Sequence, residues 1–142
     1  MAEQEIAVET RKLMRTFGSV ETVHALDGVD ITIRAGEYVA VVGPSGSGKS
    51  TLLNMLGALD SPSSGDVLIS GKSLGAVRNL DRFRSKTIGF VFQMHNLIPT
   101  LTALENVAVP LYESSMRKSE RRLRAEELLV LVGLKHRLTA LP

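Results

Sequence analysis

Cysteine is absent from the 142 residues of this chain, and its absence excludes a disulfide framework and any thiolate metal site. No run approaches the roughly 18 apolar residues that a membrane span needs. The acidic start, from Met1 to Glu5, differs from the basic and then apolar layout of a secretory signal. The sequence therefore predicts a soluble globular chain, and the lack of cysteine fits a reducing cytoplasm.

A strong excess of charge of either sign is also missing, because 17 basic residues face 15 acidic ones and the formal net charge is +2. One basic cluster falls around the start of a predicted helix near the C-terminus and consists of Arg117, Lys118, Arg121, Arg122 and Arg124. Acidic residues lie within and directly after this cluster, a pattern typical of a solvated helix face. We therefore expect no nucleic acid partner.

Hydrophobic periodicity and turn residues predict an α/β chain that is β-rich in its first third and helical towards its end. The predicted strands are residues 6–10, 26–33, 38–42, 66–70 and 88–92. The predicted helices are residues 50–59, 76–86, 102–111 and 119–132. Residues 38–42 form a continuous apolar run, which is typical of a strand buried on both faces. In the last helix Ala125, Leu128, Leu129 and Val132 have core spacing, and Gly133 is predicted as the C-cap.

A glycine- and serine-rich loop lies between the apolar run and the next predicted helix. It reads Gly43, Pro44, Ser45, Gly46, Ser47, Gly48, Lys49, Ser50 and Thr51, which fits G-x-x-x-x-G-K-[ST]. Glycines let backbone N–H groups turn inward as an anion nest, and the helix N-terminus adds its positive dipole end. Lys49 can then reach the β- and γ-phosphates of a nucleotide, and the Ser50 hydroxyl can ligate Mg²⁺. This combination predicts a nucleotide phosphate site.

The residues around this loop resemble the ATP-binding cassette (ABC) ATPases over nearly the whole chain. Residues 43–53 are similar to the Walker A segment of that family, and residues 60–65 to the turn that follows it. Residues 89–93, with Leu97 close behind, resemble the Q-loop, and residues 101–107 resemble the start of the helical subdomain. Within the family, the chain is similar to the ATP-binding subunits of lipoprotein-release and macrolide-export transporters.

The resemblance implies a fold and a set of residue roles. The fold is an α/β P-loop NTPase with an N-terminal antiparallel β subdomain and the start of a helical subdomain. Residues 1–92 form the β subdomain and Walker A core, and residues 93–142 the Q-loop and beginning of the helical subdomain. ATP and Mg²⁺ are the implied cofactors, with Lys49 and Gln93 in catalysis and Ser50 and Gln93 at the metal. Phe17 falls where the family has an aromatic residue that stacks on adenine, although an ordinary apolar residue near a turn is the alternative.

Motifs that complete the catalytic site of this family do not occur in the sequence. These are the Leu-Ser-Gly-Gly-Gln-type signature, an apolar strand ending in Asp-Glu, and the downstream switch histidine. His24, His95 and His136 are interpreted as surface or loop residues. Residues 136–142 resemble the stretch that runs into the signature, so we expect a fragment that is incomplete at the C-terminus. Its sheet would lack inner strands and expose apolar edges.

The resemblance also implies partners. A complete protein would pair with a second copy of the domain around two nucleotides and couple ATP hydrolysis to an integral membrane permease. It would lie in the cytoplasm, peripheral on the inner face of the cell membrane, with residues 94–99 as the loop that docks on the permease. The 142-residue chain alone is expected to bind nucleotide weakly without hydrolysing it.

Other functions stay open. A GTPase or small-molecule kinase shares the phosphate loop, although the Asp-x-x-Gly and Asn-Lys-x-Asp motifs of GTPases do not occur. A truncated, non-hydrolysing nucleotide-binding module and a non-transport ABC ATPase are further alternatives. The transported substrate and the direction of transport are left open by the sequence.

Overall fold

The computed structural model describes residues 5–18 and 21–142, so most of the acidic start lies outside the described residues. The chain separates into two compact units, which divide between Ile88 and Gly89. Each unit has its own secondary structure and packing. The subdomain boundary at residue 92 expected from the sequence stays a prediction.

The first unit is built on a four-stranded antiparallel sheet with the strand order β2-β1-β3-β4. The strands are β1 (Ile6–Phe17), β2 (Val23–Arg34), β3 (Ser64–Ile69) and β4 (Lys72–Ser73). The predictions of strands at 6–10, 26–33 and 66–70 are confirmed, and β1 and β2 are longer than predicted, with 12 residues each. The two long strands bind each other over most of their length, and bulges interrupt the register near Arg15.

Two helices complete the first unit, α1 (Lys49–Leu56) and α2 (Leu80–Thr87), with a short 3₁₀ helix at Leu74–Ala76. Helix α1 buries Leu52 and Met55, which are spaced by one helical turn, against Leu13 and Leu26 of the sheet. Val67 of β3 closes the same core. This packing holds α1 on the sheet. The loop that precedes α1 is therefore held in place at its C-terminal end, where the helix begins.

Two strand predictions were wrong. Residues 38–42 and 88–92 have no ladder partner in the described part of the chain, and the Tyr38 side chain is 98% exposed. An apolar strand becomes buried only when other strands bind its edges and another layer covers its faces. In the sheet described here β1, β2, β3 and β4 bind only one another, so neither apolar run gains a neighbour. Phe90 and Phe92 instead stack on each other, with ring centroids 5.5 Å apart.

The second unit is helical and contains α3 (Ala103–Ala108) and α4 (Lys118–Leu131), with 3₁₀ helices at Val109–Glu113 and Lys135–Arg137. The helices predicted at 102–111 and 119–132 are therefore confirmed in position. Helix α3 gives way early to 3₁₀ geometry because Pro110 has no N–H to continue the α-helical pattern. No helix among residues 5–18 and 21–142 is both long enough and apolar enough to cross a membrane.

The end of α4 shows how local sequence determines a helix terminus. Gly133 has φ of 78°, its N–H binds Val130 O, and the N–H of Leu134 binds Leu129 O at 2.8 Å. This is the Schellman arrangement, so the predicted glycine cap is confirmed. Ala125 and Leu129 of α4 are buried and Leu128 is half-buried, whereas Val132 is exposed and its predicted place in the core was wrong. Val132 already lies in the terminating turn and no longer follows the buried face.

A reciprocal capping box begins α3 and gives the second unit a pH dependence. The Thr102 hydroxyl accepts from the N–H of Glu105 at 3.3 Å, and the Thr102 N–H donates to Glu105 Oε2 at 2.8 Å. Hydrogen bonds from the Thr102 side chain and backbone lower the pKa of Glu105 below its ordinary value of 4.5. Ionised Glu105 therefore stabilises the folded state above pH 4.5, and this contribution is lost as the pH falls through the lowered pKa.

We expect Glu105→Gln to lower the melting temperature at neutral pH and the difference from wild type to shrink as the pH falls below 4.5 and through the lowered pKa of Glu105. The physical reason is that protonation removes in the wild type the same charge that the substitution removes. Thermal melting followed by circular dichroism from pH 7 to pH 3 measures the effect. Thr102→Ala is the matched control, because it removes the hydroxyl hydrogen bond that lowers the pKa of Glu105 while keeping the backbone one, and it should weaken the pH dependence in the same range. A difference independent of pH contradicts the assignment.

Candidate nucleotide-binding site

The loop from Gly43 to Gly48 presents its backbone to solvent and leads directly into α1. Gly46 and Gly48 have φ of 80° and 86°, the left-handed conformation that glycine adopts without strain. The N–H of Ser47 binds Pro44 O at 3.3 Å and closes the turn. Gly48 is the N-cap of α1, and no side chain caps this helix end. The first N–H groups of α1 are therefore available to an anion at the loop.

Lys49 folds back over this loop. Its Nζ donates to Gly43 O at 2.9 Å and to Pro44 O at 2.6 Å, and it lies 3.4 Å from Ser47 Oγ. The ammonium group thus lies against the backbone of the loop rather than extending into solvent. A cation held beside a nest of N–H groups fits a bound phosphate group, because both features favour negative charge at the same place.

The C-terminal end of the loop is pressed against β2. A Cβ placed on Gly48 would lie 2.3 Å from the backbone oxygen of Ala25 and 3.4 Å from Leu26 Cδ2. Glycine is therefore required here by close approach as well as by φ. A Cβ on Gly43 would likewise lie 2.7 Å from Ser47 Oγ. A side chain at Gly48 would therefore collide with the backbone of β2, whereas one at Gly43 would require only the Ser47 side chain to move.

Phe17 lies at the end of β1 and pairs with Val23 of β2, two residues before Ala25, which contacts Gly48. The register therefore brings the end of β1 towards the part of β2 on which the phosphate loop rests. Phe17 is 43% exposed, which fits either a stacking role or an ordinary apolar residue near a turn. Its role in binding a base stays a prediction.

The remaining predicted site residues have simple environments. Pro44, Ser45 and Ser50 are exposed, and Thr51 is half-buried in the first turn of α1. Gln93 belongs to the second unit, where it is exposed directly after the stacked Phe90 and Phe92. Its predicted action at the metal stays a prediction. His24, His95 and His136 are exposed, as interpreted from the sequence.

Three residues with marked polar contacts were missed by the sequence reasoning. Arg15 binds Asp60 and covers the ring of Phe17, and the pairing of Arg15 with Asp60 spans too many residues to be read from local sequence. Asn106 was also missed; its side chain binds backbone groups of Ile98, Leu101 and Thr102. An asparagine near the start of a predicted helix is a signal that could have revealed this contact, because its side-chain amide often binds backbone groups of the preceding loop.

Comparison with known proteins decides the family. The family model described as ABC transporter matches residues 26–141. The chain belongs to the ABC transporter family. It is 46% identical over 138 residues to the lipoprotein-releasing system ATP-binding protein LolD of Geobacter metallireducens, covering 95% of this chain and 61% of that protein. It is 53% identical over 118 residues to an uncharacterised ABC transporter ATP-binding protein of Thermotoga maritima, covering 82% of this chain and 50% of that one. The resemblance to the lipoprotein-release and macrolide-export group is confirmed by these names and by a macrolide export ATP-binding/permease protein MacB of Marinobacter nauticus at 46% identity.

The fold of this family member is confirmed by solved structures. A dimeric ATP-binding cassette in a post-hydrolysis state, bound to ADP and Pi, superposes with a TM-score of 0.81 at 42% identity. The match covers 95% of this chain and 61% of that one. The chain therefore spans about half the length of the Thermotoga maritima relative and about three-fifths of the length of the Geobacter metallireducens relative.

Proposed function

We propose that the protein is the ATP-binding subunit of an ABC transporter and binds MgATP at the loop from Gly43 to Thr51. The observation that carries this proposal is the position of the Lys49 ammonium on the backbone of a glycine loop whose following helix end is uncapped. Backbone N–H groups and Lys49 would hold the phosphates, and the Ser50 hydroxyl would ligate Mg²⁺ together with phosphate oxygens. Phe17 would stack on the adenine ring, and Gln93 would approach the metal.

Calorimetric titration of the protein with ATP and GTP, each with and without Mg²⁺, tests this proposal. We expect binding of both nucleotides with affinities within about tenfold, because stacking on an aromatic ring distinguishes purines weakly. Affinity should fall when Mg²⁺ is chelated, since the metal joins Ser50 to the phosphates. Strong preference for GTP would favour the GTPase alternative, and lack of any binding would contradict the proposal.

Hydrolysis and dimerisation are proposed for a protein that also contains the signature and the Asp-Glu strand. The solved relative with ADP and Pi is a dimer, which supports pairing of two such domains around nucleotide. We propose that residues 1–142 alone bind nucleotide without turnover, because the sequence contains no Asp-Glu strand to polarise water. ATP hydrolysis by the purified chain that disappears with Lys49→Ala would contradict this part.

The proposed docking partner is an integral membrane permease at the inner face of the cell membrane, and the proposed contact is residues 94–99. In this loop Met94, Leu97 and Ile98 are exposed, so it offers apolar side chains to a partner. Its C-terminal end is anchored because the Asn106 amide accepts from Ile98 N at 2.8 Å and donates to Ile98 O at 3.1 Å. Leu97 also lines an apolar cavity of about 380 Å³ with Val107 and Leu129. An anchored apolar loop beside a cavity suits a short helix of a partner.

We expect Met94→Asp with Leu97→Asp to reduce nucleotide-stimulated transport by the assembled transporter at least about tenfold, because each buries a charge in an apolar contact. Nucleotide affinity should change less than about twofold, since neither side chain is among the residues proposed to bind the nucleotide or the metal. Reconstituted transport and calorimetry measure the two quantities. Met116→Asp, another exposed methionine of the second unit, is the matched control. Loss of ATP binding in the double variant would count against docking.

A further inference from the structure

Arg15 is held between a carboxylate and an aromatic ring. Its Nη2 lies 2.9 Å from Asp60 Oδ2, and its Cζ lies 4.7 Å from the centroid of the Phe17 ring. The side chain is 23% exposed, and its Nε is buried with no hydrogen-bond partner among the described residues. A guanidinium with an unpaired buried N–H is costly to stability. Its placement is therefore explained better by a positional role than by stability alone.

The guanidinium covers one face of Phe17 and leaves part of the ring open. Phe17 is 43% exposed, and a cation 4.7 Å from the centroid of its ring lies within the usual range of a cation–π contact. The β1–β2 register shifts on both sides of Arg15, between Leu13 and Arg15 and between Arg15 and Thr16. Such bulges redirect side chains at the ends of strands. Here the bulges lie on either side of Arg15, whose guanidinium covers the ring of Phe17 at the end of β1.

Asp60 connects this arrangement to the phosphate-binding helix. It lies in the turn that follows α1, and its Oδ1 accepts from the N–H of Ser61 at 2.7 Å, which fixes the carboxylate. The same turn is joined to β1, because Ser63 N donates to Met14 O at 2.9 Å and Ser63 Oγ accepts from Thr16 N at 3.0 Å. One end of α1 thus begins at the phosphate loop, and the turn beyond its other end holds the strand that carries Phe17.

We propose that Arg15 is a positioning residue of the nucleotide site. Clamped by Asp60, its guanidinium fixes the Phe17 ring from one side and leaves the opposite face to a purine base. This inference rests on the proposed function. It adds that recognition of the base depends on a pair of charged residues that do not touch the phosphates. A ring that is fixed before binding loses less side-chain freedom when the base stacks on it. We therefore expect the affinity for the nucleotide to be roughly three- to tenfold higher than with a ring that is free to move.

The test compares two ligands, MgATP and magnesium inorganic triphosphate, by calorimetric titration of the protein. Arg15→Met keeps most of the apolar stem and removes the charge, and Asp60→Asn keeps the shape of the clamp and removes its carboxylate. We expect each to weaken MgATP roughly three- to tenfold and to leave triphosphate unchanged. Arg15→Lys should recover part of the loss, because an ammonium also binds an aromatic face. Arg11→Met is the matched control, since Arg11 is on the same strand, exposed and paired with Glu9.

The outcomes separate this inference from the proposed function. Equal weakening of both ligands, or unchanged MgATP affinity in both Arg15→Met and Asp60→Asn, overturns the positioning role while nucleotide binding stands. If the wild type binds neither ligand, the proposed function fails and the inference fails with it. If Arg15→Met does not fold, as judged by circular dichroism, the milder Asp60→Asn decides alone. A Phe17→Ala background in which Arg15→Met has no further effect supports action through the ring.

Discussion

Replacing Lys49 by alanine is expected to lower the affinity for MgATP by on the order of 100-fold. The ammonium is the only side-chain cation that the structure places on the phosphate loop among the described residues, with contacts to Gly43 O and Pro44 O. When phosphate binds, these neutral acceptors are exchanged for charged ones, and each charge-assisted hydrogen bond is worth about 1.5–3 kcal/mol. Two such bonds correspond to roughly 100-fold or more in the dissociation constant.

Lys49→Ala should weaken nucleotide binding without lowering the stability of the fold. Both contacts of Lys49 are exposed to solvent, so we expect the free energy of unfolding to change by no more than about 0.5 kcal/mol. Calorimetry with MgATP and thermal melting without ligand measure the two quantities separately. Lys118→Ala, at an exposed position in α4, is the control for loss of one positive charge. A melting temperature that falls by many degrees would mean that Lys49 holds the loop together and that the affinity loss is indirect.

The phosphate loop was predictable from the sequence because its geometry is local. The glycines, the lysine and the start of α1 lie within a few residues of one another, and steric rules fix what each glycine permits. The glycine cap of α4 was predictable for the same reason, and the capping box of α3 is equally local although it was not predicted. In each case a hydrogen-bond donor and its acceptor are separated by five residues or fewer in the chain, so the sequence carries most of the information.

The apolar runs at 38–42 and 88–92 were predicted as buried strands, and the structure shows why that prediction fails. Apolar composition indicates that a segment favours burial, but burial depends on which other segments bind its edges. The ladder of the described residues pairs β1 with β2 and β3, and neither run takes part. The contact of Arg15 with Asp60 also depends on the tertiary fold, since the two residues are 45 positions apart in the sequence and only folding brings them together.

Gly48→Ala is expected to lower the free energy of unfolding by about 3 kcal/mol or more. The left-handed backbone at φ of 86° costs an alanine roughly 1–2 kcal/mol. The added Cβ would also lie 2.3 Å from Ala25 O, which is backbone and has no rotamer to move away. Relief requires either the start of α1 or the start of β2 to shift. Such a shift would separate the loop from the sheet on which it rests, so MgATP affinity should fall as well.

Gly46→Ala is the control that isolates the close contact. Gly46 has φ of 80° in the same loop, and a Cβ there meets nothing within 4 Å, so only the conformational cost of roughly 1–2 kcal/mol remains. Urea unfolding of the two variants, compared with wild type, measures the difference. Equal destabilisation would mean that the left-handed backbone alone accounts for the need for glycine at both positions, and that the contact with β2 yields at little cost. A larger loss of stability for Gly48→Ala means that the phosphate loop depends on the sheet for its position. The affinity of the loop for MgATP then depends on the packing of the first unit as much as on the loop sequence.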